Sequence, residues 1–510
     1  MNTAKGRKRG AALALVVIFG LVLSILAAAV FTLFQSNVRS HTYVRDRIQA
    51  RYSAEAGVNL AVHMLMGGAD IPQGIMPIQF LPEPPAGGFY DLPGDDLGKV
   101  LVYVDPNDRN DQVATANAYA IRALAKIGSG DSTYTYGMET LVLPENFSRF
   151  ATFLNEPDLS GSYSDGYRFD GPFFANGPVC LYSPSSSSVN DVWFYRFSLA
   201  SDYYVYGPNG SSGSQQTSPQ VGNLTVQPIE RMLMGAPYFE LGVDPIPFGA
   251  DEVNWQDTRS AAQSGGLYLS AAQIPNNTRM ILRGGEYGDT LMVKTGPGAA
   301  VQKYFLGGLT NRVIWINNAA SDKIYLKGYP NYSSWSDPIS PDGLREPLTI
   351  GCNGSIYASG SLQYYDRDIM DMDNRTLLGL VIVHGDFVIA CDPDLISVGD
   401  WPDGMWHIVT NSDVEYDCTV MVLEGEFRAE RWNLPKPPAD FMFVGGYIVN
   451  SEGFTSTGGS SPGGWDTVIY YDSRLMTMHP PFFPQTGRWD TAYWEEQPDL
   501  TEYLIGVNQD

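Results

Sequence analysis

Two different rhythms of apolar and polar positions run along this chain. From Ala11 to Phe34 no position carries a charge, and only Gly20, Ser24 and Thr32 interrupt the apolar run. As a helix rising 1.5 Å per residue, that stretch spans about 36 Å, enough to cross a bilayer. Leu13, Leu15, Val16, Ile18, Leu21, Leu23, Ile25, Leu26 and Phe31 are its membrane-facing candidates. Past Asn37 the pattern continues at three- and four-residue steps through Val44, Ile48, Tyr52, Glu55, Val58, Val62 and Leu65. Arg45, Arg47, Arg51 and Asn59 fall elsewhere around the helix. The spacing predicts one unbroken helix over 11–66, about 84 Å long, with Gly67-Gly68 ending it.

The second rhythm is shorter. A Pro-rich stretch through Pro72, Pro77, Pro82, Pro84 and Pro85 reads as a linker or edge segment. Lys99–Val104 and Thr133–Leu143 alternate as strands do, Ala116–Ile127 fits helix or strand, and a small pilin-like sheet domain is expected over 67–150. Downstream, runs of three to five apolar residues recur with Gly or Asn between them, among them Met280–Leu282, Val313–Ile316, Ile324–Leu326, Leu348–Ile350, Leu380–Val383 and Thr419–Leu423. NGSIYASGSL (353–362) and VIVHGDFVIA (381–390) each join two such runs through a corner containing Gly. Short strands with sharp corners suit a right-handed β-solenoid over 151–510, with a β-sandwich as the alternative. The fold class is therefore mainly β, behind one long N-terminal helix.

Composition agrees. The 53 Gly, 34 Pro and 30 Tyr suit many strands and tight turns. Net charge is -24, yet Lys5, Arg7, Lys8 and Arg9 crowd the first ten residues, so the remainder of the chain is more acidic still. That excess argues against nucleic-acid binding. The basic leader, 1–10, keeps the short N-terminus cytoplasmic by the positive-inside rule and sends the rest across, to the periplasm or beyond. The apolar run is too long for a signal peptide, and no small-residue cleavage site comes after it.

The leader ending in Gly10, the apolar helix, the extension with Ser53-Ala54-Glu55-Ala56-Gly57 and the β-rich remainder together resemble type IV pilin-like proteins, especially PilX-type minor pilins. The string KGRKRGAALALVVIFGLVLSIL looks like their prepilin segment. The resemblance implies cleavage by a prepilin peptidase between Gly10 and Ala11, and packing of the freed helix among other pilin-like subunits. Most pilins carry Glu at the fifth mature position, but here that position is Leu15. In this respect the chain resembles the tip pseudopilin of type II secretion systems; an uncleaved membrane anchor is the other reading.

Three more strings, FSRFATFLNE (147–156), DGPFFANGPV (170–179) and YYDSRLMTMHPPFFPQTGRW (470–489), look like a bacterial family of β-rich, solenoid-like ectodomains that often follows such a helix. By that resemblance Asp170, Gly171, Pro172, Asn176 and Gly177 open the solenoid, while Tyr471, Asp472, Arg474, Leu475, Pro480, Pro481, Phe483 and Pro484 close it. Asp170 and Asn176 are turn residues by type, and Phe482, Phe483 and Trp489 are expected to stack over an open end.

Candidate chemistry is sparse. Asp366, Asp368, Asp371 and Asp373, with Asn374, form the densest acidic run and the candidate Ca²⁺ ligands, though they lack the Gly and Glu of an EF-hand loop. Asp105, Asn107, Asp108, Asn110 and Asp111 form a second run. No other cofactor is indicated. Cys180, Cys352, Cys391 and Cys418 include no CxxC pair, and of the three full pairings the sequence chooses none; Cys391–Cys418 is the candidate bridge. His41, His63, His384, His407 and His479 are scattered. The GxSxG match at 459–463 lies in a Gly/Ser loop rather than at a strand-to-helix turn. Tyr203-Tyr204, Tyr364-Tyr365 and Tyr470-Tyr471 are candidate sugar platforms or core. The expected function is a non-enzymatic minor pilin or pseudopilin-like subunit whose partners are other pilins, the peptidase, the membrane and an extracellular surface or glycan. The alternatives are an anchored solenoid adhesin or envelope protein, and a tethered carbohydrate-active enzyme.

Overall fold

The computed structural model describes residues 4–66, 74–75, 89–92, 98–105, 119–128, 133–164, 167–182, 190–208, 210, 212–221, 224–228, 238–329, 339–371, 373–390, 413–430, 432, 440–457 and 463–496. Gly67-Gly68, the Pro-rich stretch, the 107–111 acidic run, Cys391, His407 and most of the GxSxG loop lie outside them. The chain is mainly β behind one long helix, as its periodicities predict. It divides into two compact units, 1–109 with 118–143 and 489–510, and 110–117 with 144–488.

In the first unit the helix runs unbroken over Ala4–Met66. Lys99–Asp105 pairs antiparallel with Tyr119–Ile127, which pairs antiparallel with Tyr134–Asn146, so the ambiguous 116–127 segment is a strand. Gln485–Glu496 adds to that sheet beside Tyr134–Asn146. The helix lays Ala50, Ala54, Val58, Ala61 and Met64 on Val100, Val102, Val104, Ile121, Ala123 and Ala125, all buried. These helix positions are three or four apart and mostly small, so helix and sheet approach closely; a Cβ on Gly57 would stand 2.6 Å from Val100 Cγ2. Arg122 and Glu139, opposite each other in the sheet, form a buried ion pair at 2.7 Å.

The second unit is built largely of parallel strands. Each turn from Leu267 onward gives one strand to each of two ladders. One ladder stacks 267–270, 313–317, 348–352, 378–382 and 419–422. The other stacks 278–283, 323–328, 355–358, 387–389 and 427–429. The first ladder then continues in an order that departs from the order of the chain. After 419–422 comes 447–449, then 152–154, 173–175, 197–199 and 239–241. The strand laid down first in the chain therefore sits mid-stack, and the connection through the helix Gln256–Gly265 carries the chain from one end of the stack to the other.

Alternate residues of the first ladder face inward, Ile314, Ile316, Ile350, Cys352, Leu380, Ile382, Val420 and Val422 among them. Their neighbours Val313, Trp315, Val381 and Met421 face a second apolar layer that includes Ala261 and Ala262 of the Gln256–Gly265 helix, Phe248 and Phe483. Burial on both faces is why these strands read as continuous apolar runs rather than alternating ones. At the junction of the two halves Asn155 Nδ2 donates to Asn450 Oδ1 at 2.9 Å, and Asn176 Nδ2 donates to Asn155 Oδ1 at 2.8 Å. Just before it, Gly445 takes φ +148°, and a Cβ there would meet Cys418 O at 1.9 Å, so only glycine fits.

Candidate functional site

Among the described residues one helix is long and apolar enough to cross a membrane. Leu15, Val16, Ile18, Leu21, Leu23, Ile25, Leu26 and Phe31 are all exposed on it; the side chains of Gly10, Ala11 and Leu13 lie outside the described set. Its hydroxyls are satisfied within the helix, as an apolar medium demands: Ser24 Oγ donates to Gly20 O and Thr32 Oγ1 to Ala28 O, each at 2.8 Å.

The amphipathic extension packs through a different face from the one its apolar periodicity indicates. Val44 and Ile48 are 50% exposed and Tyr52 63%, while Ala50 and Ala54 are fully buried. Of the seven periodic positions Val58 is fully buried, and Glu55 and Val62 are half-buried. Small residues carry little weight in a hydrophobic pattern yet allow the closest approach to a sheet, so Ala and Gly win the contact. Val38, Val44, Ile48 and Tyr52 are left as an exposed apolar stripe continuous with the membrane segment.

The three strings at 147–156, 170–179 and 470–489 meet. The ring of Tyr471 lies on Gly171, where a Cβ would stand 2.4 Å from it, and Tyr471 Oη donates to Arg149 O at 2.7 Å. Phe147 N donates to Pro484 O at 3.2 Å, and Asn146 Nδ2 donates to Phe483 O at 2.8 Å. Arg474 and Asp472, both buried, form a bidentate pair with Nη2–Oδ2 2.6 Å and Nε–Oδ1 2.9 Å. The 471–484 run lies along the flank of the stack: Thr349 Oγ1 donates to Pro481 O, and a Cβ on Gly379 would meet both Phe483 and Pro480. This corrects the expected arrangement. Gly171 and Asn176 sit within the stack rather than opening it, and Phe483 is buried against the mid-stack strand 378–382 rather than over an end. Phe482 is exposed, and the Trp489 side chain lies outside the described residues.

The acidic run forms a series of tight turns. Asp366 Oδ1 accepts from Asp368 N, Asp368 Oδ1 from Met370 N and Asp371 Oδ1 from Asp373 N, at 3.1, 3.0 and 3.0 Å. These are the side chain-to-backbone turns that aspartate favours. No group of three or more His, Cys, Asp or Glu side chains among the described residues is placed to hold a metal ion. Cys180, Cys352 and Cys418 are buried thiols, and Cys391, the candidate partner of Cys418, lies outside the described residues. Burial raises the Cys418 thiol well above its ordinary value, leaving a poor nucleophile. His384 pairs with Glu424 at 2.7 Å on the surface, and burial lowers the pKa of His479. Tyr204, Tyr364 and Tyr471 are core residues.

Asp289 is a buried carboxyl with leverage near neutral pH. It accepts from Arg345 N at 3.2 Å and Glu346 N at 3.1 Å, yet burial pushes it up to about 6 from an ordinary 3.8. The folded chain thus holds this proton more tightly than the unfolded chain. The stabilisation is complete below about 4 and is lost as pH rises through about 6, a change of at most about 3 kcal/mol. Asp289→Asn is expected to flatten that slope, seen as a smaller fall in urea-unfolding free energy between pH 4.5 and 7 than in the wild type.

No family model matches the chain, and no curated protein matches it. Among solved structures it is similar to the competence-associated pilin ComZ from Thermus thermophilus, at 12% identity and a TM-score of 0.27 over 88% of this chain and 97% of that one. A likeness that loose carries no functional weight.

Proposed function

We propose that this chain is a non-enzymatic, minor pilin or pseudopilin-like subunit that displays a solenoid-like ectodomain on a type IV pilus-like filament or its tip. The observation that supports this most is the helix itself. It is docked to its own sheet by small residues over 50–64 and leaves Val38, Val44, Ile48 and Tyr52 exposed in line with the apolar segment above them. An anchor needs only its membrane span to be apolar; a stripe prolonged beyond the span suits lateral packing against other helices. In this reading a prepilin peptidase cuts between Gly10 and Ala11, and the ectodomain lies outside the cytoplasm.

The N-terminal residue of the mature protein decides the matter. Mass spectrometry of protein from cells with a prepilin peptidase is expected to find Ala11 first, and from cells without it the intact leader. An intact leader in both would leave an anchored adhesin or envelope protein, and the filament reading would fall.

A further inference from the structure

The loop 359–376, between the strands Ser355–Ala358 and Leu378–Ile382, is bound to the strand Val414–Ala429 by backbone and side chain together. Leu362 N donates to Glu415 O at 2.7 Å and Asp417 N to Leu362 O at 2.9 Å. Gln363 Nε2 donates to Glu415 Oε2 at 2.8 Å, Glu415 N to Ser361 Oγ at 3.0 Å and Tyr364 N to Asp417 Oδ2 at 2.9 Å. Glu415 and Asp417 are alternate residues on one strand, so they present to the same side, and both are buried.

The charges at this place do not balance. The loop contributes Arg367 and Tyr364, the strand contributes Glu415, Asp417 and the Cys418 thiol, and the C-terminal run contributes Asp472 and Arg474. Arg474 is matched by Asp472, and Arg367 is ion-paired with Glu415, its Nε lying 3.9 Å from Asp417 Oδ2. Three carboxyls thus face two guanidiniums, and Asp417 is the one left over. Its Oδ1 accepts no hydrogen bond, and Glu415, on the same side of the strand, is already engaged by Arg367 and Gln363. A buried carboxyl without its own cation keeps its proton.

We propose that the proton held by Asp417 is a latch that fastens the 359–376 loop to the strand 414–418, and that alkaline conditions release the loop by removing it. Burial first and Glu415 second raise Asp417 well above its ordinary value, against the pull of Arg367 and the Tyr364 N–H. A raised folded-state value means that the contribution is present at low pH and disappears as pH rises through that value. The latch is independent of the filament reading, since it asks nothing of the helix.

Hydrogen exchange on the full chain, corrected for base catalysis, tests it at the Leu362, Tyr364 and Asp417 amides. Protection in the wild type is expected to fall about tenfold or more between pH 6 and 10, the scale of one pH unit of proton linkage. In Asp417→Asn, which is neutral at every pH and keeps an acceptor for Tyr364 N, protection is expected to stay level. A wild-type profile that is flat, or that the Asn variant reproduces, overturns the proposal. Should the variant fail to fold, infrared spectroscopy of the wild type decides instead: a protonated carboxylic acid band retained at pH 7 and lost where the loop opens supports the latch, and its absence at pH 7 overturns it.

Discussion

Arg474→Ala is expected to destabilise the second unit by about 3–5 kcal/mol, because it strands the Asp472 carboxylate in a buried site without its cation. Arg474 and Asp472 have essentially no exposed side-chain surface, and their side chains are bound to each other by two hydrogen bonds. Arg474 Nη1 also donates to Asn374 O at 3.1 Å, and its guanidinium stands 5.3 Å from the Tyr364 ring centre. The pair therefore ties the C-terminal run to the 359–376 loop. Urea unfolding of the purified full chain measures the loss, and limited proteolysis should show cleavage within 471–484 first. Replacing both partners by neutral groups of similar size, Asp472→Asn with Arg474→Met, is expected to recover most of the loss, since no buried charge remains unmatched. A loss under about 1 kcal/mol in the single variant would mean that the pair is not sealed from solvent and that the flank is held chiefly by its other contacts, those of Tyr471, Pro481 and Phe483 among them.

How much of the fold is legible in the amino-acid sequence is clearest strand by strand. Met280–Leu282, Val313–Ile316, Ile324–Leu326, Leu348–Ile350 and Leu380–Val383 each lie in or across a strand, because burial on two faces writes itself as an apolar run. The order of the stack is not legible in that way. Tyr447 pairs with Thr152 across most of the second unit, and no local signal reports a partner that distant. One trace is present: an asparagine directly after two buried strand residues recurs at Asn155, Asn176, Asn317, Asn353 and Asn450. Asn450, Asn155 and Asn176 bond one another in stack order, and Asn353 Nδ2 donates to Asn317 Oδ1 at 3.2 Å. Read as a periodic corner, that residue shows which strands are neighbours. The latch residues are hidden differently. Glu415 and Asp417 resemble any polar positions on a strand, and only the burial of both, with Arg367 already engaged, makes the extra proton necessary.

The helix separates the two kinds of information most sharply, and substitutions on its two faces should have opposite consequences. On the docked face, Ala54→Glu drives a carboxylate into the contact with Val100, Val102 and Ala123, where the described neighbours are apolar. The expected cost is about 3 kcal/mol or more, from burying a charge without a partner. On the outward face, Ile48→Glu and Tyr52→Glu place the same charge where the side chain is at least half exposed. Surface changes of that kind shift stability by about 0.5 kcal/mol or less, so urea unfolding should not distinguish them from the wild type. Assembly should. If the outward stripe packs against helices of other subunits, a carboxylate there removes the chain from sheared filament fractions and from crosslinks through a cysteine introduced at Val44, while Ala54→Glu lowers the amount of folded protein in every fraction alike. Outward-face variants that still enter filaments would leave the stripe without a partner, and the span from Leu15 to Phe34 would then suffice as a plain anchor.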